Sequence, residues 1–296
     1  MALHTFFFTA PEELARPPVG LEFNDLPTGP QGAEDEQAAA ARRAAACTAA
    51  LDSVFASCGE RHRERLTIDN HVGCVFERSP YCHAVVRGHV CAVFAGEIAA
   101  WPGHDQVQEH HDSFVRGDPL PVDDDADWLL NFYASFSGCA SLDDITEAAL
   151  KALSHVSGSF AFVVYDSLAK RVWAARDAQG VQPLYWGVTE DNRLVFGTDP
   201  QKLDGCTPTA APFPAGTLFA SHDATLCHSP GNRGWVIRGE HPLPGQLLSF
   251  VASKQPTPHK RWREVKAVPR MDAEGHICGA VYRVSSEPHL EKVTSH

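Results

Sequence analysis

The most reactive side chains in the sequence are nine cysteines, Cys47, Cys58, Cys74, Cys82, Cys91, Cys139, Cys206, Cys227 and Cys278. An odd set with no Cys-x-x-Cys spacing reads as scattered reduced thiols, not as a disulfide or zinc framework. Cys74 and Cys91 fall in apolar, β-branched runs, where a thiol is normally a small core residue; as nucleophiles they would need an electropositive, accessible setting. His104, Glu109, His110, His111 and Asp112 supply metal-ligand types. Adjacent histidines in an acidic loop read as solvated groups, however, and no spacing matches a closed zinc site, so no metal and no cofactor are expected. A phosphate-cradling loop ending in Gly-Lys-Ser/Thr is missing as well. Asp123, Asp124 and Asp125 precede a helical pattern, where carboxylates favour the positive end of the helix dipole.

The elements that must position these residues follow from periodicity. The run Leu3 to Phe8 predicts a short buried strand, after which Pro11, Pro17, Pro18, Pro27 and Pro30 predict irregular chain. Alanine density between Ala33 and Ala56, with Leu51, Val54 and Phe55 at helical spacing, predicts an exposed helix. The runs Cys74 to Phe76, Cys82 to Val86 and Val90 to Phe94, separated by turn residues, predict strands of one antiparallel meander. Trp128, Leu129, Phe132, Tyr133 and Phe136 recur at helical intervals, as do Leu142, Ile145, Ala149 and Leu153, with Ser141 and Asp144 placed as a capping box. Strand-like runs return at Ser159 to Asp166, Arg171 to Arg176, Leu184 to Gly187, Leu194 to Gly197 and Gly216 to Ala220. Helices bracketed by sets of strands argue α+β layering, not alternating βαβ units.

A chain of 296 residues is long enough for two domains or one large fold, and 44% hydrophobic with 21% charged residues is an ordinary globular composition. The net charge of −12 disfavours nucleic acid and anionic membrane surfaces as partners. No apolar stretch approaches the length of a spanning helix, and the N-terminus lacks the charge pattern of a signal or transit peptide. The expected compartment is therefore the cytoplasm, with the nucleus as a further location.

Gly158 to Asp166, followed by Ala175-Arg176-Asp177, Gly180 and Pro183-Leu184-Tyr185-Trp186-Gly187, resembles the second half of the class II glutamine amidotransferase domain of asparagine synthetases. Ala211-Pro212-Phe213-Pro214-Ala215-Gly216 and Val268-Pro269-Arg270-Met271-Asp272, with Gly275 and Ile277 to Ala280, extend the likeness. Together they resemble the plant aluminium-induced, stem-specific protein family, a free-standing amidotransferase-like domain. The family's Tyr-Gly-Leu and Leu-Arg-Asp-Arg motifs are not found, which marks a divergent member. The resemblance implies the N-terminal-nucleophile hydrolase fold, an α+β, four-layer αββα sandwich of two antiparallel sheets. It would occupy residues 1–228, with an alanine-rich helical insertion near 31–60, a Pro/Gly-rich inserted loop at 229–262, and a C-terminal segment, 263–296, that returns to the same domain and ends in a flexible tail. Arg176 with Asp177 is expected to form an internal ion pair tying two strands.

In active relatives the resemblance implies an N-terminal cysteine, freed of its methionine, whose sulfur attacks the glutamine carboxamide. This sequence has Ala2 there, and Thr5 is the nearest hydroxyl, usable only after a further cleavage. The family's Asn-Gly-Glu, which supplies an amide side chain and a backbone N–H to the oxyanion hole, is Ala95-Gly96-Glu97 here; loss of one such donor costs an enzyme about 2.7–4 kcal/mol. Glu64-Arg65-Leu66-Thr67-Ile68 resembles the segment whose arginine holds the substrate α-carboxylate, a task suited to a planar guanidinium. Asp125 lines up with the aspartate that receives the α-ammonium. No catalytic residue is therefore expected, and Arg65, Gly96, Glu97 and Asp125 are the ligand-binding candidates. The resulting expectation is a binding or regulatory protein without glutaminase activity, in a metal, aluminium or hormone stress response of a plant or green alga. Its partner would be an amino-acid-like small ligand or a protein, with a homodimer as its assembly. The alternative is an active amidohydrolase whose nucleophile is not the N-terminal residue: an internal cysteine such as Cys74 or Cys91, or a residue uncovered by processing.

Overall fold

The computed structural model describes residues 5–11, 36–58, 62–100, 124–135, 142–191, 193–203, 205–206, 210–221, 227–228, 235–236, 246–251, 263–271, 273–274 and 277–284. Strand β1 (Phe6–Pro11) is buried throughout because protein covers both of its faces. Phe6 and Phe8 point into one apolar cluster and Phe7 into another, as the period of two requires. Proline does not end the strand early: Thr9 and Ala10 are fully buried, and Pro11 occupies the last register position, opposite Arg193. A missing N–H costs least there.

β1 is flanked by β3 (Val72–Glu77), itself paired with β2 (Arg63–Asp69), and by β9 (Arg193–Gly197), paired with β8 (Tyr185–Val188). With β10 (Ala211–Pro212) these make an antiparallel six-stranded sheet in the order β10-β8-β9-β1-β3-β2. The second sheet has eight strands, β16-β15-β14-β11-β7-β6-β5-β4. In chain order these are β4 (Cys82–Arg87), β5 (Val90–Ala100), β6 (Ser157–Asp166), β7 (Arg171–Arg176), β11 (Thr217–Ala220), β14 (Gln246–Ser249), β15 (Arg263–Met271) and β16 (Ile277–Val284). A small ribbon pairs β12 (Cys227–His228) with β13 (Trp235–Val236).

Three helices among the described residues cover the outer faces. Helix α1 (Glu36–Ser57) lays Cys47, Leu51 and Val54, with Cys58 beyond its end, on Phe7, Val75 and Val195 of the first sheet. The sequence predicts this helix as exposed; one face is in fact buried, because four apolar side chains recur along a single stripe. Helices α2 (Asp124–Ser135) and α3 (Leu142–Leu153) cover the second sheet, where Leu129, Leu130, Phe132 and Leu153 meet Phe94, Phe160 and Trp173. Between the sheets lie Phe76, Trp186, Phe196, Phe213 and Phe219, each buried aromatic contributing on the order of 2–3 kcal/mol. This is the αββα sandwich that the resemblance implies.

Two expectations are corrected. The meander is split: β3 belongs to the first sheet and β4 with β5 to the second, because the Glu77–Cys82 connection crosses from one sheet to the other. The stretch 229–262 is not loop throughout, since Leu247 and Leu248 of β14 are buried and pair with Phe219 and Leu218. Residues 263–284 extend the same sheet through β15 and β16. Ser141 of the capping box, the His104–Asp112 group and the rest of 31–35, 59–60 and 285–296 lie outside the described residues.

At the far end of the sandwich the two sheets are joined by Asp69, which accepts hydrogen bonds from the Tyr165 hydroxyl (3.3 Å) and Lys170 Nζ (2.9 Å). Burial pushes the Asp69 carboxyl up, but the Lys170 hydrogen bond and charge outweigh it and hold the pKa below the ordinary 3.8. A carboxylate lowered in this way stabilises the fold above its unfolded pKa, and that stabilisation disappears as pH falls through the folded value. Unfolding midpoints measured from pH 6 downward should therefore fall less steeply below about pH 4 in Asp69→Asn than in the parent.

Candidate functional site

The start of β1, the β3–β4 crossing, and the later part of β5 come together at one end of the sandwich. Thr5 stands there, its carbonyl accepting the Glu77 N–H (2.9 Å) and the Cys82 thiol (3.4 Å). Its own hydroxyl is buried with no hydrogen-bond partner. Cys82 pairs across the ladder with Ala95, which is fully buried in the inter-sheet cluster. Ala95 thus presents only a methyl group, and that is packed into the core.

Gly96 follows with φ +116°, and a Cβ on it would lie 1.9 Å from the Ser159 carbonyl oxygen. Only glycine allows β5 and β6 to approach so closely. Opposite the next residues Gly158 has φ +143°, and a Cβ there would meet Glu97 O at 2.3 Å. The Gly96 N–H, which the resemblance would make an oxyanion donor, is taken by the Tyr81 carbonyl at 2.8 Å.

Glu97 is exposed, and Ile98 N–H donates to Asp125 Oδ2 at 3.5 Å, tying the first turn of α2 to β5. Helix α2 is fixed further along by Arg87 of β4, which bonds Asp127 and Asn131 at 2.6 Å each. The Ile98 amide thus ties Asp125 to the strand that carries Gly96 and Glu97. Arg65 is not gathered with them. It lies on β2 opposite Val75, on the face that α1 covers, and its guanidinium is paired with Asp52 of α1. Strand alternation explains the orientation: Leu66 and Ile68 pack toward the inter-sheet core, so Arg65 points the other way. Ala2 lies outside the described residues.

Sequence reasoning missed the loop that borders this end. Asp177, fully buried, donates its N–H to Phe160 O (2.8 Å) directly opposite Gly96. Its carboxylate accepts the N–H groups of Gln179, Val181 and Gln182 at 3.1, 3.0 and 2.9 Å. Arg176 donates to the carbonyls of Gln182, Phe213 and Gly180 at 2.7, 2.9 and 2.6 Å. The expected strand-tying pair is corrected accordingly: the two side chains act mainly by caging the 178–182 backbone, one satisfying donors and the other acceptors. The Arg-Asp dipeptide was visible in sequence, but its partners are main-chain groups, which carry no residue signature.

The cysteines divide by environment. Cys74 and Cys91 face the core and are essentially inaccessible, and the hydrogen bond from Cys91, with burial, pushes the Cys74 thiol well up. Burial also raises Cys82, and raises Cys47 to about 11. None of these has the setting of a nucleophile. Among the described residues no group of three or more His, Cys, Asp or Glu could hold a metal ion. No helix among them is long and apolar enough to cross a membrane.

Residues 143–233 match the model of the family described as "Aluminium induced protein". The resemblance read from the sequence is thereby shown for that segment. It contains the Gly158–Gly187 and Ala211–Gly216 motifs, while the 268–280 motifs fall outside it. The chain is also similar to a probable glutamine-hydrolyzing asparagine synthetase of Dictyostelium discoideum, 39% identical over 66 residues, which is 22% of this chain and 12% of that relative. Asparagine synthetase B of Escherichia coli K12 is 34% identical over 83 residues, 28% of this chain and 15% of the relative. The match thus spans only a small part of either synthetase. Among solved structures, the glutamine phosphoribosylpyrophosphate amidotransferase of B. subtilis is similar over 56% of this chain and 34% of its own, with 17% identity and a TM-score of 0.33. A glutamine aminotransferase class-II domain protein of Silicibacter pomeroyi is similar over 58% and 75%, with 13% identity and a TM-score of 0.34. The fold itself stands on the register of the chain's own two sheets.

Proposed function

We propose that this amidotransferase-like protein does not hydrolyse glutamine and acts by binding, as a regulatory component of a stress response of the kind the aluminium-induced family name suggests. The observation that carries this reading is the state of the oxyanion position: Ala95 offers no donor and the Gly96 N–H is already bonded to Tyr81. A tetrahedral intermediate formed here would lack both stabilising contacts, each worth a few kcal/mol in an enzyme that has them. What remains at this end is acidic, with Glu97 exposed on β5 and Asp125 holding the Ile98 N–H, and suits the ammonium end of an amino-acid-like ligand or a basic patch on a partner protein. Arg65, on the face of the first sheet that α1 covers and paired there with Asp52, takes no part in this surface.

Incubating the purified protein with glutamine and following glutamate and ammonia tests the reading. No release above the buffer blank is expected; steady turnover that Asp125→Asn abolishes would overturn it. Cytoplasmic or nuclear placement and self-association are part of the same proposal, checked by imaging a tagged full-length chain and by sedimentation.

A further inference from the structure

Cys58 sits just past the end of α1, where its N–H donates to Val54 O at 3.1 Å. Arg63 locks this helix end by donating to the Phe55 and Cys58 carbonyls at 2.9 and 3.3 Å, its guanidinium stacked over the Phe55 ring. From the opposite side comes a 3-10 turn, Pro200–Lys202, whose start is fixed by Asp199 accepting the Gln201 N–H. Lys202 is 12% exposed, and its Nζ lies 3.0 Å from Cys58 Sγ and 3.2 Å from Glu77 Oε1. Two rigid elements, 144 residues apart in sequence, thus hold an ammonium against a thiol. A cavity of about 200 Å³ opens on the Lys202 side, lined by Val54, Ser57, Thr189, Arg193, Gln201 and Lys202 but not by Cys58 itself.

We propose that Cys58 is a modification site, a thiol that reacts with peroxides and small electrophiles because Lys202 stabilises negative charge on its sulfur. With peroxide the sulfur attacks one oxygen, an S–O bond forms and the O–O bond breaks. Cys58–SH plus H2O2 gives Cys58–SOH plus H2O; the sulfur loses two electrons and the departing oxygen leaves as water. Lys202 then donates to the sulfenic oxygen; one small thiol displaces that oxygen as water to form a mixed disulfide, and a second breaks its S–S bond, returning the Cys58 thiol and leaving the two small thiols joined as a disulfide. Glu77 anchors the lysine. Burial alone would pull the Lys202 amine down, but the hydrogen bonds and charges of Cys58 and Glu77 outweigh it and raise its pKa, so the group stays an ammonium at neutral pH. Burial and neighbouring groups raise the thiols of Cys47, Cys74 and Cys82.

Site-resolved alkylation of the native full-length protein with iodoacetamide at neutral pH tests this, with the half-buried Cys206 as internal control. Cys58 is expected to react despite 7% exposure. Lys202→Met should slow it roughly tenfold while Lys202→Arg keeps most of the rate. Cys206 should be unchanged in both, and a dimedone-type trap added after peroxide should label Cys58 in the parent but give no label at position 58 in Cys58→Ser. Equal Cys58 rates in the parent and Lys202→Met, or labelling of Cys206 with none of Cys58, would overturn the proposal. Unfolding midpoints of the two lysine variants separate a lost charge from a loosened fold.

Discussion

Replacing Asp177 with alanine is expected to destabilise the protein by about 3–5 kcal/mol, the largest effect of any single polar substitution argued from this structure. The carboxylate is fully buried and accepts three backbone N–H groups, from Gln179, Val181 and Gln182. Its removal leaves those donors without a partner and leaves the half-buried Arg176 guanidinium without its neighbouring counter-charge. Asp177→Asn keeps one acceptor oxygen and should recover part of the loss. Urea denaturation of the three proteins checks the order; a midpoint for the alanine variant equal to the parent's would show that solvent replaces the cage.

The second large effect is expected at Gly96. Alanine there must hold φ +116° and place its Cβ 1.9 Å from the Ser159 carbonyl oxygen, so either the β5–β6 ladder opens or the residue is strained. Strain of this kind with the overpacking it brings amounts to at least about 2 kcal/mol. The structural role of Gly96 is separate from any role in binding: the same glycine is required for the sheet whether or not its N–H meets a ligand. Thermal unfolding of Gly96→Ala, together with Gly158→Ala on the facing strand, measures this. A change below about 0.5 kcal/mol in both would mean that the two strands are farther apart than described.

Much of the architecture was legible because it is written in short-range pattern. Arg171–Arg176 is a strand with the bounds that its apolar run between turn residues predicts, and the α2 and α3 helices lie where Leu129, Phe132, Ala149 and Leu153 place them. Sheet membership was not legible. Cys74 and Cys91 sit in similar apolar runs, yet one strand pairs with β1 and the other with β6, a choice made by long-range packing that no local window contains. The site shows the same division. Ala95-Gly96-Glu97 and Asp125 were singled out by resemblance alone, and the structure shows only that Asp125 bonds the β5 backbone at Ile98. That Arg65 is held by Asp52, and that Tyr81 takes the Gly96 N–H, depends on the α1 and β4 surfaces that fold against them. Cys58 escaped notice because its partner is Lys202, and nothing near either residue in sequence hints at the other.

Amide hydrogen exchange at Gly96 reads most directly whether its N–H is closed to an oxyanion, as the non-hydrolytic proposal requires. Bonded to Tyr81 O, the Gly96 amide should be as protected as its β5 neighbours, and glutamine should leave its rate unchanged. Fast exchange at Gly96 within an otherwise protected strand, or protection that appears only when glutamine is added, would show a donor free to meet an oxyanion and would contradict the non-hydrolytic reading.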